Sequence, residues 1–455
     1  MALGSILFLL GFTGFFLDHD NFDFLWDIKV SDKLLPESIV ANKQKAFNAY
    51  KIDFENPQHI LAGSRMGLFL SLDGGTSFKK TLDKQTLAIE PEKINHQENF
   101  QTVYAATADG IYQSLDGGLK WKDFALKNKV VESFNLFNGQ IYAVVDKRDI
   151  FQIDLKTKKT QKLLLAGIPK NELPKQVSLS RLIRDLHYGR GLFSGDSSLY
   201  INDYAAIILS FLGIGGFVIY FTIRKIRAKR TVNRRLFQTW LKTHSNIIII
   251  LSFLPIMILL FTGVFLDHAQ LLQDFMKKTR FHSSYLPPVY KDLSTDIWGF
   301  DYDGKNYRVG NRLGVFKSTD LHNWQLESKG FAYRIKRIEK ELFISGMGSP
   351  NRQLTRDGWV PLKGTPHMPR DVYQLDGKTR FYSTHSKDTK LPVTDSTPLY
   401  HIMLGLHDGK LFSGQWVFVN DAAALAGLIL FITGYIKWSR KRKSRRRALE
   451  NRKTA

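Results

Sequence analysis

The sequence predicts a membrane protein with four transmembrane α-helices in a tandem two-helix repeat, joined to an extracytoplasmic all-β, propeller-like domain. Three observations predict it. Four apolar runs interrupt a chain of ordinary composition: Ala2–Leu17, Tyr204–Ile223, Ser245–Leu266 and Ala422–Ile436. Two motifs recur in the same order around them. Two β-turn signatures punctuate the long polar segment between the first two runs.

Taking the runs in order, the last three are long enough for a hydrocarbon core of about 30 Å at about 1.5 Å per residue. Ala2–Leu17 is marginal. It lacks the basic n-region and small-residue cleavage site of a signal peptide. Its end, "TGFFLDH" (Thr13–His19), returns as "TGVFLDH" (Thr262–His268) at the end of the third run. It therefore reads as a true helix whose cytoplasmic start is missing or unusually short.

The net charge of +23 would suit nucleic acid, but its placement argues against that partner. "RKIRAKRTVNRR" (Arg224–Arg235) follows the second run and "KWSRKRKSRRR" (Lys437–Arg447) follows the fourth. Basic residues beside helix ends mark the cytoplasmic side and suit anionic headgroups of the lipid bilayer. This puts the C-terminus in the cytoplasm and both long segments outside, in a multi-pass protein of a bacterial inner membrane. The absence of cysteine excludes disulfides, thiolate metal sites and covalent haem attachment.

The second repeated motif is "DLHYGRGLFSG" (Asp185–Gly195), matched by "GLHDGKLFSG" (Gly405–Gly414). Asn202-Asp203 likewise matches Asn420-Asp421. Each unit thus runs helix, outer segment, return motif, helix. A pseudo-twofold axis along the membrane normal suits such parallel repeats. The predicted division is helix 1–19, outer β segment 20–185, return motif and helix 186–223, basic loop 224–243, helix 244–268, second outer β segment 269–405, return motif and helix 406–438, and basic tail 439–455.

In the first outer segment, "SLDGGTSF" (Ser71–Phe78) and "SLDGGLKW" (Ser114–Trp121) fit S-x-D-x-G-x-x-[FW] and resemble Asp boxes. Asp accepts backbone N–H bonds, Gly supplies positive φ, and the aromatic anchors the hairpin. Their 43-residue spacing is the size of a four-stranded propeller blade. "VGNRLGVFKSTDLHNW" (Val309–Trp324) is a worn copy in the second segment, and "LTRDGW" (Leu354–Trp359) a weaker one. Three blades alone would expose two sheet edges; joining both segments would close one propeller of six to eight blades. Asp boxes also occur in sialidases, but no stretch supplies the arginine cluster and Tyr–Glu pair of that chemistry.

Five of the twelve histidines lie at membrane boundaries: His19, His187, His244, His268 and His407. His19 repeats as His268, and His187 as His407, all four on the outer side. Imidazole is the usual neutral ligand of haem iron. His244 starts the third run on the opposite side, about 36 Å of helix from His268, so those two cannot share one haem. His401 has no repeat mate, because Arg181 stands in its place. Arg190 and Lys410 could meet haem propionates or lipid phosphates. Asp18, Asp203, Asp267 and Asp421 lie at the level of the histidines and could orient them.

The pattern Leu-His-x-Gly-x-Leu-Phe-x-Gly, then a helix ending Thr-Gly-x-x-x-Trp and a basic run, resembles the PepSY-associated transmembrane helix family. "LHDGKLFSG" (Leu406–Gly414) and "TGYIKW" (Thr433–Trp438) match best; His244 and "FTG" (Phe261–Gly263) match the opening and end of that family's first helix. Some members are inner-membrane ferric-siderophore reductases. The resemblance therefore implies haem b, ligand roles for His187, His407 and His244, and electron transfer to an extracytoplasmic acceptor, small molecule or protein. A ferric-siderophore or other ferric complex is the acceptor this implies, and haem-b ferric reductase the enzyme class. His19 and His268 join the candidate cofactor ligands by repeat symmetry alone. The chain departs from the family in lacking a PepSY domain and a first-helix His in unit one. The competing expectation is a non-enzymatic, membrane-anchored propeller receptor or assembly scaffold. Either reading leaves room for a homodimer. Transport is poorly supported by helices with almost no interior charge.

Overall fold

The computed structural model describes residues 2–454 apart from 95–96, 244–250, 292–295, 339, 385 and 387–388. Alternating apolar residues bounded by turn residues form six antiparallel sheets. The first blade runs Phe47–Ile52, Ile60–Ser64, Gly67–Ser71 and Lys79–Leu82 in chain order. The inner strands of the next four are Thr86–Ile94, Val131–Phe137, Gly299–Tyr302 and Ala332–Ile338. The sixth blade is a two-stranded hairpin, Asp371–Leu375 with Lys378–Tyr382. Each inner strand lies against the next, and the sixth returns to the first, which closes a six-bladed propeller.

Three blades come from each outer segment, so both junctions between segments join distant parts of the chain. At one, Tyr50 N–H donates to Asp371 Oδ2 (3.2 Å) and Lys51 Nζ to Val372 O (3.1 Å). At the other, Asn135 Nδ2 donates to Asp301 Oδ1 (2.9 Å). Lys51 and Lys336 meet Glu90 and Asp371 at the centre, at 2.7–3.4 Å. The Asp boxes are hairpin turns as their residues dictate. Asp73 Oδ1 accepts from Thr76 and Ser77 N–H, and Ser71 Oγ from Gly75 N–H, where φ is +83°. The worn copy does the same through Asp320 and Asn323.

Two short exchanges tie the repeats together beneath the propeller. Lys29–Ser31, at the start of the first segment, pairs with Ser396–Pro398 at the end of the second. Gln176–Ser178, at the end of the first, pairs with Arg280–His282 at the start of the second. Each pairing leads into a short helix that carries a return-motif histidine.

The helices that carry the repeats and their return motifs are α1 (Ala2–Asp18), α2 (Leu179–His187), α3 (Ser197–Arg227), α4 (Phe253–Asp267), α5 (Leu399–His407) and α6 (Val417–Thr454). Four membrane-crossing helices are not what the described residues contain. Two helices there are long and apolar enough to cross: Ser197–Arg227 and Gly414–Ser444. α1, with 17 residues, and α4, with 15, rise only about 26 and 22 Å, short of a core of about 30 Å. They pack instead against the two long helices, around Leu7, Ala205, Leu209, Ile256, Leu260 and Ala424.

Candidate functional site

The repeats exchange partners at the propeller end of the helices. His407, which ends α5 in unit two, places Nδ1 2.9 Å from Thr13 Oγ1 on α1 of unit one. His187, which ends α2 in unit one, places Nδ1 3.0 Å from Thr262 Oγ1 on α4 of unit two. Each threonine hydroxyl already donates within its own helix, Thr13 to Leu9 O (2.5 Å) and Thr262 to Ile258 O (2.7 Å). Its oxygen is left to accept, so each histidine carries its proton on Nδ1 and keeps the lone pair on Nε2.

Each imidazole lies over a glycine of the facing helix. A Cβ at Gly14 would meet His407 Cε1 tightly, at 3.3 Å, and one at Gly263 would meet His187 Cε1 at an ordinary 3.5 Å. From the other side, Asn202 Nδ2 donates to His187 O (2.9 Å) and Asn420 Nδ2 to His407 O (3.0 Å). The two imidazoles thereby face one another with ring centroids 6.3 Å apart and planes at 61°. Burial, reinforced by the neighbouring His407, pushes His187 down to about 3, and burial lowers His407. Both are neutral at physiological pH, the form in which imidazole binds a metal.

The other expected ligands go elsewhere. His19 Nδ1 bonds to Phe15 O (3.0 Å) and its Nε2 faces Asp203 Oδ2 at 3.6 Å. His268 Nε2 bonds to Asp421 Oδ2 at 2.7 Å. In these repeat-related His–Asp pairs both nitrogens of His19 are engaged, whereas His268 is engaged through Nε2. His244 lies outside the described residues. Among the described residues no three His, Cys, Asp or Glu side chains gather as a metal cluster.

The propeller grips the His187 helix directly. Arg312, from the hairpin of the fourth blade, reaches Asp296 through Nε (2.6 Å), Asp185 through Nη1 (3.1 Å) and Arg190 O (2.8 Å). Asp185 is fully buried, two residues before His187, and also accepts from Tyr290 Oη (2.9 Å) and Arg181 Nε (2.8 Å). Sequence reasoning missed Thr13, Thr262 and Arg312. The threonines stand in a motif whose recurrence was visible, but their role depends on exchange between repeats. Nothing in the sequence signals that Arg312 reaches Asp185.

The family model described as "PepSY-associated TM region" matches residues 1–441. The chain belongs to this family. The match spans helices and propeller alike, so this PepSY-associated protein carries its blades inside the family's own span. No curated protein matches the chain. Solved structures with likeness include a GH74 enzyme from Niastella koreensis (14% identity, 28% of this chain and 24% of that chain, TM-score 0.22). An ancestral GH74 enzyme matches at 11% identity, over 72% of this chain and 32% of its own, with a TM-score of 0.33. YCF48 from Cyanidioschyzon merolae matches at 11% identity, over 71% and 70%, with a TM-score of 0.32. The chain thus spans a third or less of the two GH74 structures. Likeness at these scores carries no argument about activity.

Proposed function

We propose that this membrane protein holds haem b between His187 and His407 and passes electrons to an acceptor on its outer side, a ferric complex being the fitting class. The carrying observation is the threonine lock. Thr13 and Thr262 hold both imidazoles through Nδ1, which leaves Nε2 as the nitrogen that would bind a metal. Histidine ligands commonly engage their second nitrogen in this way. The ring centroids lie 6.3 Å apart, so the two imidazoles are near enough that they would share one ion.

When bound, haem b supplies one-electron chemistry. The chain's own residues do the rest. His187 and His407 hold the iron. Asn202 and Asn420 keep the ends of the two carrier helices fixed, and partial burial keeps both imidazoles neutral. Arg312 and Asp185 hold the His187 helix against the propeller. The basic stretches after the long helices support an orientation with the propeller outside.

Absorption spectra of the protein purified in mild detergent, oxidised and reduced, test this reading. A Soret band and a sharp α-band are expected, both lost in His187→Ala or His407→Ala. A colourless protein, produced with ample haem, overturns it and leaves the propeller scaffold.

A further inference from the structure

The return motif is duplicated, but its charged side chains are not used alike. In unit two, Lys410 pairs with its neighbour Asp408 at 2.5 Å and is more than half exposed. In unit one the aligned residue, Arg190, turns inward and lies 5.0 Å from the ring centre of Trp298, a buried side chain at the helix-facing mouth of the propeller. Lys147 approaches the same ring at 4.8 Å. Tyr333 neighbours Trp298 at 5.6 Å and carries Arg334 over its own ring at 5.0 Å. Arg184 and Tyr188 flank His187, where unit two has Leu404 and Asp408.

Two features of this gap point to a ligand. Neither guanidinium, of Arg184 or Arg190, has a carboxylate within salt-bridge distance or another hydrogen-bond acceptor among the described residues, although Asp18 lies near enough to act on Arg190. Tyr188 stands within the field of Arg184, Arg190 and Asp18 and is half exposed, so its hydroxyl remains accessible. The local field is positive. Burial would raise the Tyr333 phenol, but Arg334, Arg370 and Lys147 bring it below its ordinary value. Arg190 faces a propeller side chain rather than the membrane, which favours a soluble ligand over a lipid headgroup.

We propose that Arg184, Tyr188 and Arg190, roofed by Trp298, Tyr333 and Arg334, form a single binding site for a small soluble ligand bearing carboxylate or phosphate oxygens. Arginine forks suit such oxyanions, and aromatic faces hold the forks in place. The repeat asymmetry gives one such site per chain, beside His187. Naming this anion as the electron acceptor rests on the function proposed above; its binding does not.

Titration calorimetry of the full chain in detergent with citrate tests the site, with thermal melts to check that each variant folds. Citrate should bind, weaken about tenfold or more in Arg184→Gln and Arg190→Gln, weaken less in Arg190→Lys, and be unchanged in Lys410→Gln. Absence of binding, or equal loss in Arg190→Gln and Lys410→Gln, overturns the proposal. So does retention of phosphatidylglycerol that depends on Arg190 without citrate binding, which would make this a lipid site. A colourless protein that still binds citrate through Arg190 would sink the haem reading and leave this one standing.

Discussion

At the scale of residues, the account turns on one hydrogen bond per imidazole. Thr262→Val keeps the volume but removes the acceptor from His187 Nδ1. Loss of a partner that orients a metal ligand typically costs 10–100-fold in affinity, so haem retention in Thr262→Val, and in Thr13→Val, should fall by about that factor while the melt changes little. Spectral titration of stripped protein with haem measures this. pH offers a second handle. His187 is held at about 3 by burial, against an ordinary 6.5. Below 6.5 the unfolded chain takes up a proton that the folded chain refuses. The haem-free protein should therefore lose stability as pH falls from about 6.5 towards 3. His187→Gln should reduce that dependence in thermal melts across the range, with His401, held at about 4 by burial, and His407 supplying the remainder.

The same scale shows what could be read in advance. His187 and His407 were legible as repeat mates, and the structure brings them together. His19 and His268 were equally visible by symmetry, and each meets an aspartate: His19 faces Phe15 O and Asp203, and His268 bonds Asp421 through Nε2. Repetition marks residues under the same constraint; it does not say whether that constraint is a ligand or a carboxylate. Partner choice is set by contacts hundreds of residues apart, which periodicity cannot encode.

At the scale of elements, α1 and α3 approach through small residues. A Cβ at Gly11 would stand 2.7 Å from Ala206 O and from Ser210 Oγ, and one at Gly213 2.8 Å from Phe8 Cβ. Close approach of this kind is how apolar helices gain packing. Gly11→Leu should force the pair apart at a cost of about 1–3 kcal/mol and lower the melting temperature in detergent. Gly216→Leu, where nothing lies within 4 Å of the added Cβ, should not. Strand and turn positions were readable because Asp, Ser and Gly in the boxes make local bonds. The first apolar run, Ala2–Leu17, was readable as a marginal span and forms the helix Ala2–Asp18, whereas the start of the third run lies outside the described residues.

At the scale of the whole molecule, the repeats are interlocked. The propeller closes only across both segments, and the strand pairs Lys29–Ser31 with Ser396–Pro398 and Gln176–Ser178 with Arg280–His282 cross between them. Residues 20–185 expressed alone would expose two blade edges and leave Lys51 without Asp371. They should aggregate or melt without cooperativity. Chains 1–229 and 230–455, produced together, should copurify as one complex. A stable, monomeric 20–185 fragment would contradict the interlock. The central claim spans both repeats in the same way, since each contributes one histidine to one iron. Haem stoichiometry and low-temperature electron paramagnetic resonance of the oxidised protein test it most directly. The account predicts one low-spin haem per chain, abolished equally by His187→Ala and His407→Ala; a haem that survives both substitutions, or none at all, would contradict it.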